Sequence, residues 1–365
     1  MKLTILKEPF LEKLNFASRF ASSKISSLVA LQGVFIKAGK ETIDFYSTNL
    51  NSYYHTVLKT EGRNDFAVII DPKKISEFLS LLSPGKIDFE VKEKQVVISQ
   101  GKTKGEFPVM SAEEFPLPPK IDGQSQEIPT EFFLKNLPLV LFAASADETR
   151  PVLSGINFLM TDSDLSIVAT DGFRLSLIRL KKTVDFPSMI LPAGFLSEIV
   201  HLVKDEKNIK FNYLTQEKTV AFHIGEHDLY TRLIEGDYPP FEKVIPTSHK
   251  TTIVLEKDEF LRNIKLISIF AREFSNIVIL KTTKEGVEIK PKTDQEGGNI
   301  TVQEAVVEGE EQKIAFNYRF VLDLLNNLEA KKIIIELLRA DAPVVFKSDK
   351  NPDFLHIIMP VRIQE

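Results

Sequence analysis

One pattern occurs three times in this chain and limits what it can fold into. In residues 191–213, LPAGFLSEIVHLVKDEKNIKFNY, Phe195, Ile199, Leu202 and Val203 fall at i, i+4, i+7 and i+8, the apolar stripe of a short helix. Residues 205–208 end that helix, and Ile209, Phe211 and Tyr213 then alternate as a strand. In residues 71–91 the stripe is Ile75, Leu79 and Leu82, the break is Ser83-Pro84-Gly85, and the strand is Ile87, Phe89 and Val91. In residues 316–337 the same roles fall to Phe320, Leu324 and Leu328, then Glu329-Ala330-Lys331, then Ile333, Ile335 and Leu337. Three nearly evenly spaced copies predict three domains of one plan, residues 1–121, 122–246 and 247–365. Length agrees, since 365 residues supply two or three domains of roughly 150 residues, each able to bury its own core.

Strands outnumber helices in each domain, which makes the class α+β. Residues 2–6 alternate as a first strand, and Pro9 opens a helix carrying Leu11, Leu14, Ala17 and Ala21. Strand-like runs follow at 33–38, 42–46, 53–58, 66–70, 96–99 and 106–110. Phe115-Pro116-Leu117-Pro118-Pro119 cannot donate ladder hydrogen bonds and reads as a linker. The plan restarts with a helix over 129–144, strands at 155–160, 165–169 and 175–180, and a turn at Thr170-Asp171-Gly172. Gly236-Asp237-Tyr238-Pro239-Pro240, with Pro246 beyond it, marks a second linker. The third domain opens with a strand at 252–255 and a long helix over 257–273. Phe260, Ile264, Ile267 and Ala271 share one face of that helix, with Arg262, Lys265 and Arg272 opposite. The cationic side reads either as a solvated surface or as the face of an arch between a sheet and a polyanion.

A chain with no cysteine carries neither a disulfide framework nor thiolate chemistry, which fits a reducing cytoplasm. No apolar run is long enough for a signal peptide or a membrane span, so neither export nor a membrane is expected. The net charge of −5 argues against a protein that grips nucleic acid over its whole surface, unless positive charge is segregated to one face. Phosphate loops, dinucleotide fingerprints and nucleophile elbows are missing: there is no GxxxxGK[ST], no GxGxxG after a strand and no GxSxG. Asp171 invites an acid–base reading, but aspartate and glycine at a turn are also explained by backbone geometry. His223 and His227 have the i, i+4 spacing of a metal pair, yet they lie in a strand followed by a turn, and no third ligand is apparent. No catalytic residue, metal or cofactor is expected. The acidic run 304–311 reads as a solvated strand pair and turn.

Four segments of exposed-looking apolar and basic residues around turns remain: RPVLSG at 150–155, ATDGFRL at 169–175, DYPPF at 237–241 and MPVRI at 359–363. In this order, across a threefold repeat of this length, they resemble the bacterial sliding clamps, the β subunits of DNA polymerase III. The resemblance covers essentially the whole chain. It implies the DNA-clamp fold, with helices lining a ring and antiparallel sheets outside, in a homodimer of six domains. Such a ring encircles double-stranded DNA without reading its sequence and tethers DNA polymerase and clamp-loader subunits through short leucine/phenylalanine peptides.

Carried over to this chain, the resemblance implies a partner-peptide pocket made of Leu153, Thr170, Gly172, Arg174, Leu175, Pro239, Val244, Ile357, Met359 and Pro360. Arg174 and Arg362 supply polar contacts at its rim, and Phe173 stands at its edge where the family usually has histidine. The family's DNA-facing basic positions match Lys24, Lys73, Lys74 and Arg150, beside the Arg262, Lys265 and Arg272 stripe. Its subunit contact maps onto Phe107, Ile269 and Phe270. Val29 stands near a usual proline, Ala193-Gly194 replaces a usual lysine, and Gln364 and Glu365 extend past the usual end. Two other readings stay open: a clamp-fold scaffold that does not encircle DNA, and an enzyme using Asp171 with neighbouring carboxylates.

Overall fold

The computed structural model describes residues 1–22, 28–61, 65–120, 125–147, 149–183, 185, 187–203, 206–214, 217–273, 275–292 and 298–362. Its α-helices among these residues are α1 (Lys7–Ser18), α2 (Pro72–Leu81), α3 (Thr130–Asn136), α4 (Pro138–Leu141), α5 (Ala193–Leu202), α6 (Lys257–Ala271) and α7 (Tyr318–Asn327). Local chemistry fixes several starts. Asp71 Oδ1 accepts from Lys73 N at 3.0 Å, with Pro72 at the first helical position, and Asn317 Oδ1 accepts from Arg319 N at 3.0 Å. Both caps satisfy an amide that the helix itself leaves without a partner.

Each third of the chain runs strand, helix, three strands, strand, helix, three strands, with α3 and α4 together filling one helix position. The repeated plan is therefore itself doubled, and the sequence pattern marks only the second half of each copy. The middle helix predicted over 129–144 is two helices because Pro138 has no amide to donate and disrupts the preceding turn.

Two predicted stripes are met only in part: Leu14 and Ala17 of the first and Leu324 and Leu328 of the other are buried, as predicted. In α1 the buried side is Phe10, Lys13, Leu14 and Ala17, whereas Leu11 is half-buried and Ala21 lies past the helix end. In α7 the buried residues are Tyr318, Val321, Leu324 and Leu325, and Phe320 is only half-buried. Each helix has a wide apolar arc, so spacing alone accepts either neighbour as its centre. The α6 stripe is as predicted, with Phe260, Ile264, Ile267 and Ala271 all buried.

The chain divides into two compact units, residues 1–130 with 202–233, and residues 131–201 with 234–365. Each contains one twelve-stranded sheet whose pairings are all antiparallel. In the first unit, Ser52–Lys59 pairs with His227–Arg232 and joins the strands of the first third to four strands from the middle third. In the second unit, Arg174–Lys181 pairs with Phe354–Ile358 and joins the other four middle strands to those of the last third. α1 packs against α2 in the first unit, and α6 against α7 in the second. No helix among the described residues is long and apolar enough to cross a membrane.

Candidate functional site

The turn after strand Asp164–Thr170 is held almost entirely by its own side chains. Thr170 Oγ1 donates to Arg174 O at 2.6 Å and accepts from Gly172 N at 3.1 Å. Asp171 Oδ1 accepts from the amides of Phe173 and Arg174 at 2.8 and 3.0 Å, and Oδ2 accepts from Arg174 Nε at 3.0 Å. Gly172 has φ of +93°, a conformation that costs glycine little and strains most other residues. Asp171 is thus a structural carboxylate with both oxygens engaged in holding the turn, not an acid or base.

Arg174 is the centre of a larger arrangement. Its Nη1 donates to Asp323 Oδ2 at 2.5 Å, and its guanidinium lies 4.7 Å from the ring centre of Phe320 and 5.8 Å from that of Phe142. The displaced Phe320 of α7 is therefore used as a cation–π face rather than as core. Two carboxylates and two rings hold a side chain that is 11% exposed. This makes Arg174 a rigid wall rather than a loose rim charge.

The C-terminal strand completes the site. Leu175 pairs with Ile357, and Phe173 O accepts from Met359 N at 2.8 Å, so the turn and residues 354–359 form one continuous ladder. Leu175 and Ile357 join Val168, Leu177, Phe241 and Val345 in one apolar cluster, with Tyr238 and Ile245 packed against it. Burial raises the Tyr238 phenol well above its ordinary pKa, so it stays neutral beside this wall. Below, Ser176 Oγ is 2.7 Å from His356 Nδ1. Burial, assisted by the Arg174 charge, pushes the His356 pKa down to about 3, and the imidazole is neutral at ordinary pH.

Of the predicted pocket residues, Thr170, Gly172, Phe173, Arg174, Leu175, Ile357 and Met359 are brought together by these bonds and pairings. Pro239 and Val244 are exposed and flank Phe241 of the cluster in sequence. Leu153 and Pro360 are half-buried outside the cluster, and Arg362 is exposed. Phe173 projects with 61% of its surface exposed. Residues that sequence reasoning did not place at the site are Phe142, Asp323 and Phe320 around Arg174, the last assigned by spacing to the core stripe of α7, and Val345 in the apolar cluster. Only strand pairing could have found Val345, which faces Ile357 from the next strand.

The cationic residues fare differently. Lys73 and Lys74 are exposed in the first turn of α2, and Arg262, Lys265 and Arg272 are exposed on or just beyond α6. Arg150 is exposed with its Nε 3.7 Å from Asp147 Oδ2. Lys24, Gln364 and Glu365 lie outside the described residues. Ala193 and Gly194 open α5 and line a wide cleft together with Phe142 and Asn327. The solvent side of α6 is not purely cationic: Leu266 and Ile269 are each 47% exposed and Phe270 is 40% exposed. At about 100° per residue these apolar side chains and the three cations occupy adjoining, overlapping sectors. Phe107 is half-buried, with its ring edge-on to Phe78 at 5.4 Å.

His223 and His227 do not form a pair. The turn at Gly225 sets His223 opposite Asp228 and Ile224 opposite His227, so the two imidazoles face opposite sides of the hairpin. His223 Nδ1 lies 2.6 Å from Asp228 Oδ1, and His227 Nδ1 lies 2.6 Å from the Tyr54 hydroxyl.

Comparison with known proteins covers the whole length of the chain. Three family models match in succession: the N-terminal domain of the DNA polymerase III beta subunit over residues 1–119, its central domain over 127–240 and its C-terminal domain over 242–362. The beta sliding clamp of Bacillus subtilis is 29% identical over 383 residues, covering 99% of this chain and all of that protein. That of Halalkalibacterium halodurans is 27% identical with the same coverage. The crystal structure of the DNA polymerase III beta subunit from Thermotoga maritima superposes over the full length of both chains with a TM-score of 0.89 at 23% identity. The DNA polymerase sliding clamp from Bacillus subtilis superposes over both full lengths with a TM-score of 0.87 at 26% identity. Three clamp-domain models in sequence order, together spanning nearly the whole chain, lead to one conclusion: the chain belongs to the DNA polymerase III beta-subunit family.

Proposed function

We propose that the chain is a DNA sliding clamp whose two copies close head to tail into a ring of six domains, 1–121, 122–246 and 247–365 from each. The ring encircles duplex DNA in the cytoplasm and carries DNA polymerase and clamp-loader subunits on a groove around Leu175 and Ile357. Members of this family act as processivity factors, and the chain is not an enzyme. The observation that carries the reading is the Leu175–Ile357 pairing, which brings two distant motifs into one apolar wall in a chain of this family. An extended peptide with leucine and phenylalanine anchors suits such a wall. Met359 and the exposed Phe173 and Val244 give it edges that can repack around several partners.

Sliding requires phosphate contacts that are weak, numerous and sequence-blind, because topology rather than affinity keeps the protein in place. A net charge of −5 with exposed Lys73, Lys74, Arg150, Arg262, Lys265 and Arg272 is compatible with that requirement. For the subunit contact, Ile269, Phe270 and Leu266 on α6 supply exposed apolar surface, and Phe107 supplies its counterpart on the other unit. Deleting residues 359–365 removes the Met359–Phe173 and Val361–Ala315 backbone bonds together with the groove edge. The deleted protein is expected to lose a fluorescent leucine/phenylalanine peptide while still dimerising and staying on nicked circular DNA. Unchanged peptide affinity would remove the groove from the proposal, and equal loss from circular and linear DNA would remove the ring.

A further inference from the structure

A polar cavity lies next to the apolar cluster around Leu175 and Ile357, and strand register sets the distance between them. Leu175 pairs with Ile357, Ile357 with Val345, and Val345 with Glu336, so these four residues form one row across four neighbouring strands. Directly paired residues share a face of the sheet. Beyond Val345 the row enters a cavity of about 220 Å³ lined by Thr247, Ser248, His249, Glu336 and Lys347, with Val345 shared between the cavity and the apolar cluster. At roughly 4.8 Å per strand, Leu175 and Glu336 are about 14 Å apart, which about four residues of extended peptide span.

The cavity's charges decide what it accepts. Glu336 is withdrawn, with its side chain 16% exposed, and Lys347 Nζ already neutralises it at 2.7 Å. His249 Nδ1 stands 3.9 Å from the other Glu336 oxygen. The Lys347 and His249 side chains are 42% and 47% exposed, and Thr247 and Ser248 complete the lining. The cavity thus offers an entering group an ammonium with hydrogens not used by Glu336 and an imidazole, while one oxygen of its own carboxylate is engaged by that ammonium. An acceptor bearing negative charge fits this set, because charge-assisted hydrogen bonds to it replace lost hydration.

We propose that this cavity is a second subsite that takes a carboxylate side chain of a partner peptide, about four residues from the anchor seated at Leu175 and Ile357. The assignment rests on the groove being the peptide site. It makes partner choice depend on an acidic residue flanking the apolar anchors, with Lys347 and His249 as specificity residues.

Three fluorescent peptides test it on the full-length protein: one with the leucine/phenylalanine anchors alone, and two extended so that glutamate or glutamine reaches the cavity. The glutamate peptide is expected to bind about three- to fivefold tighter than the glutamine peptide, the yield of one half-exposed charge-assisted contact, with the preference shrinking as salt rises. Lys347→Met should abolish that preference and leave the anchor-only peptide unaffected, and His249→Ala should reduce it in part. Lys347→Glu should reverse the preference toward a lysine-extended peptide, which keeps the test informative if the methionine variant disturbs Glu336. Equal binding of the glutamate and glutamine peptides, with the anchor-only peptide still bound, overturns the subsite alone. Failure of the anchor-only peptide to bind overturns the groove and the subsite together.

Discussion

His55 and Asp228 meet at 2.9 Å across the junction of strands Ser52–Lys59 and His227–Arg232, with the other His55 nitrogen 2.8 Å from Asp44. Burial lowers the His55 pKa, but hydrogen bonds to Asp228 and Asp44, reinforced by their charges, outweigh it and raise the pKa to about 9. The Asp228 carboxyl is held far below its ordinary range, where hydrogen bonds and charge from His223 and His55 overcome burial. A group whose folded pKa exceeds its unfolded value stabilises fully below the unfolded one, about 6.5, and loses that contribution as pH rises through the folded one. The junction should therefore weaken between pH 6.5 and about 9, by at most on the order of 3 kcal/mol. Tyr46 and Tyr230, both raised to about 12, do not titrate in this window. Melting curves of the wild type and His55→Gln from pH 6 to 10 should converge as pH rises, and a pH-independent gap would refute the assignment.

Arg174→Ala should destabilise the second unit by about 2–4 kcal/mol, because it leaves Asp171 and Asp323 without their guanidinium and empties the space against Phe320. Arg174→Lys should recover only part of this, since a single ammonium cannot serve both carboxylates and stack on a ring. Denaturant unfolding monitored in the unit containing α7 reads the difference, and full rescue by lysine would show that only charge matters.

Replacing Ile269 and Phe270 together with glutamate should give monomers of unchanged fold. Both side chains are already 40% or more exposed, so the isolated chain gains no unpaired buried charge, whereas a subunit contact would. Sedimentation velocity and circular dichroism check the two halves of this claim, and an intact dimer would move the contact elsewhere.

Short linear duplexes should bind weakly and lose binding steeply with salt, because the energy comes from released counterions. Neutralising Arg262, Lys265 and Arg272 to glutamine should flatten the salt dependence by up to about three in slope without altering sequence preference. A change in preference between duplexes of different sequence would contradict phosphate-only contact.

The sequence determined the threefold plan, the α+β class and the motifs that join this chain to a family. Such features come from local periodicity: the buried stripe of α6, Asp71 and Asn317 as helix caps, and the Gly172 turn all depend on neighbours a few residues away. Sequence reading misplaced what depends on distant partners. Phe320 looked like core at helical spacing, but Arg174, far away in the chain, uses it as a ring face. The i, i+4 spacing of His223 and His227 carried no contact either, because the hairpin puts them on opposite faces. The solvent side of α6 looked cationic because the pattern could not show that Leu266 finds no cover within the chain. The junction of His55 with Asp228 and the polar cavity beside Val345 carried no sequence signal at all. Each is made by strand pairing between remote segments, and one residue's slip in that register would send every one of those side chains to the other face.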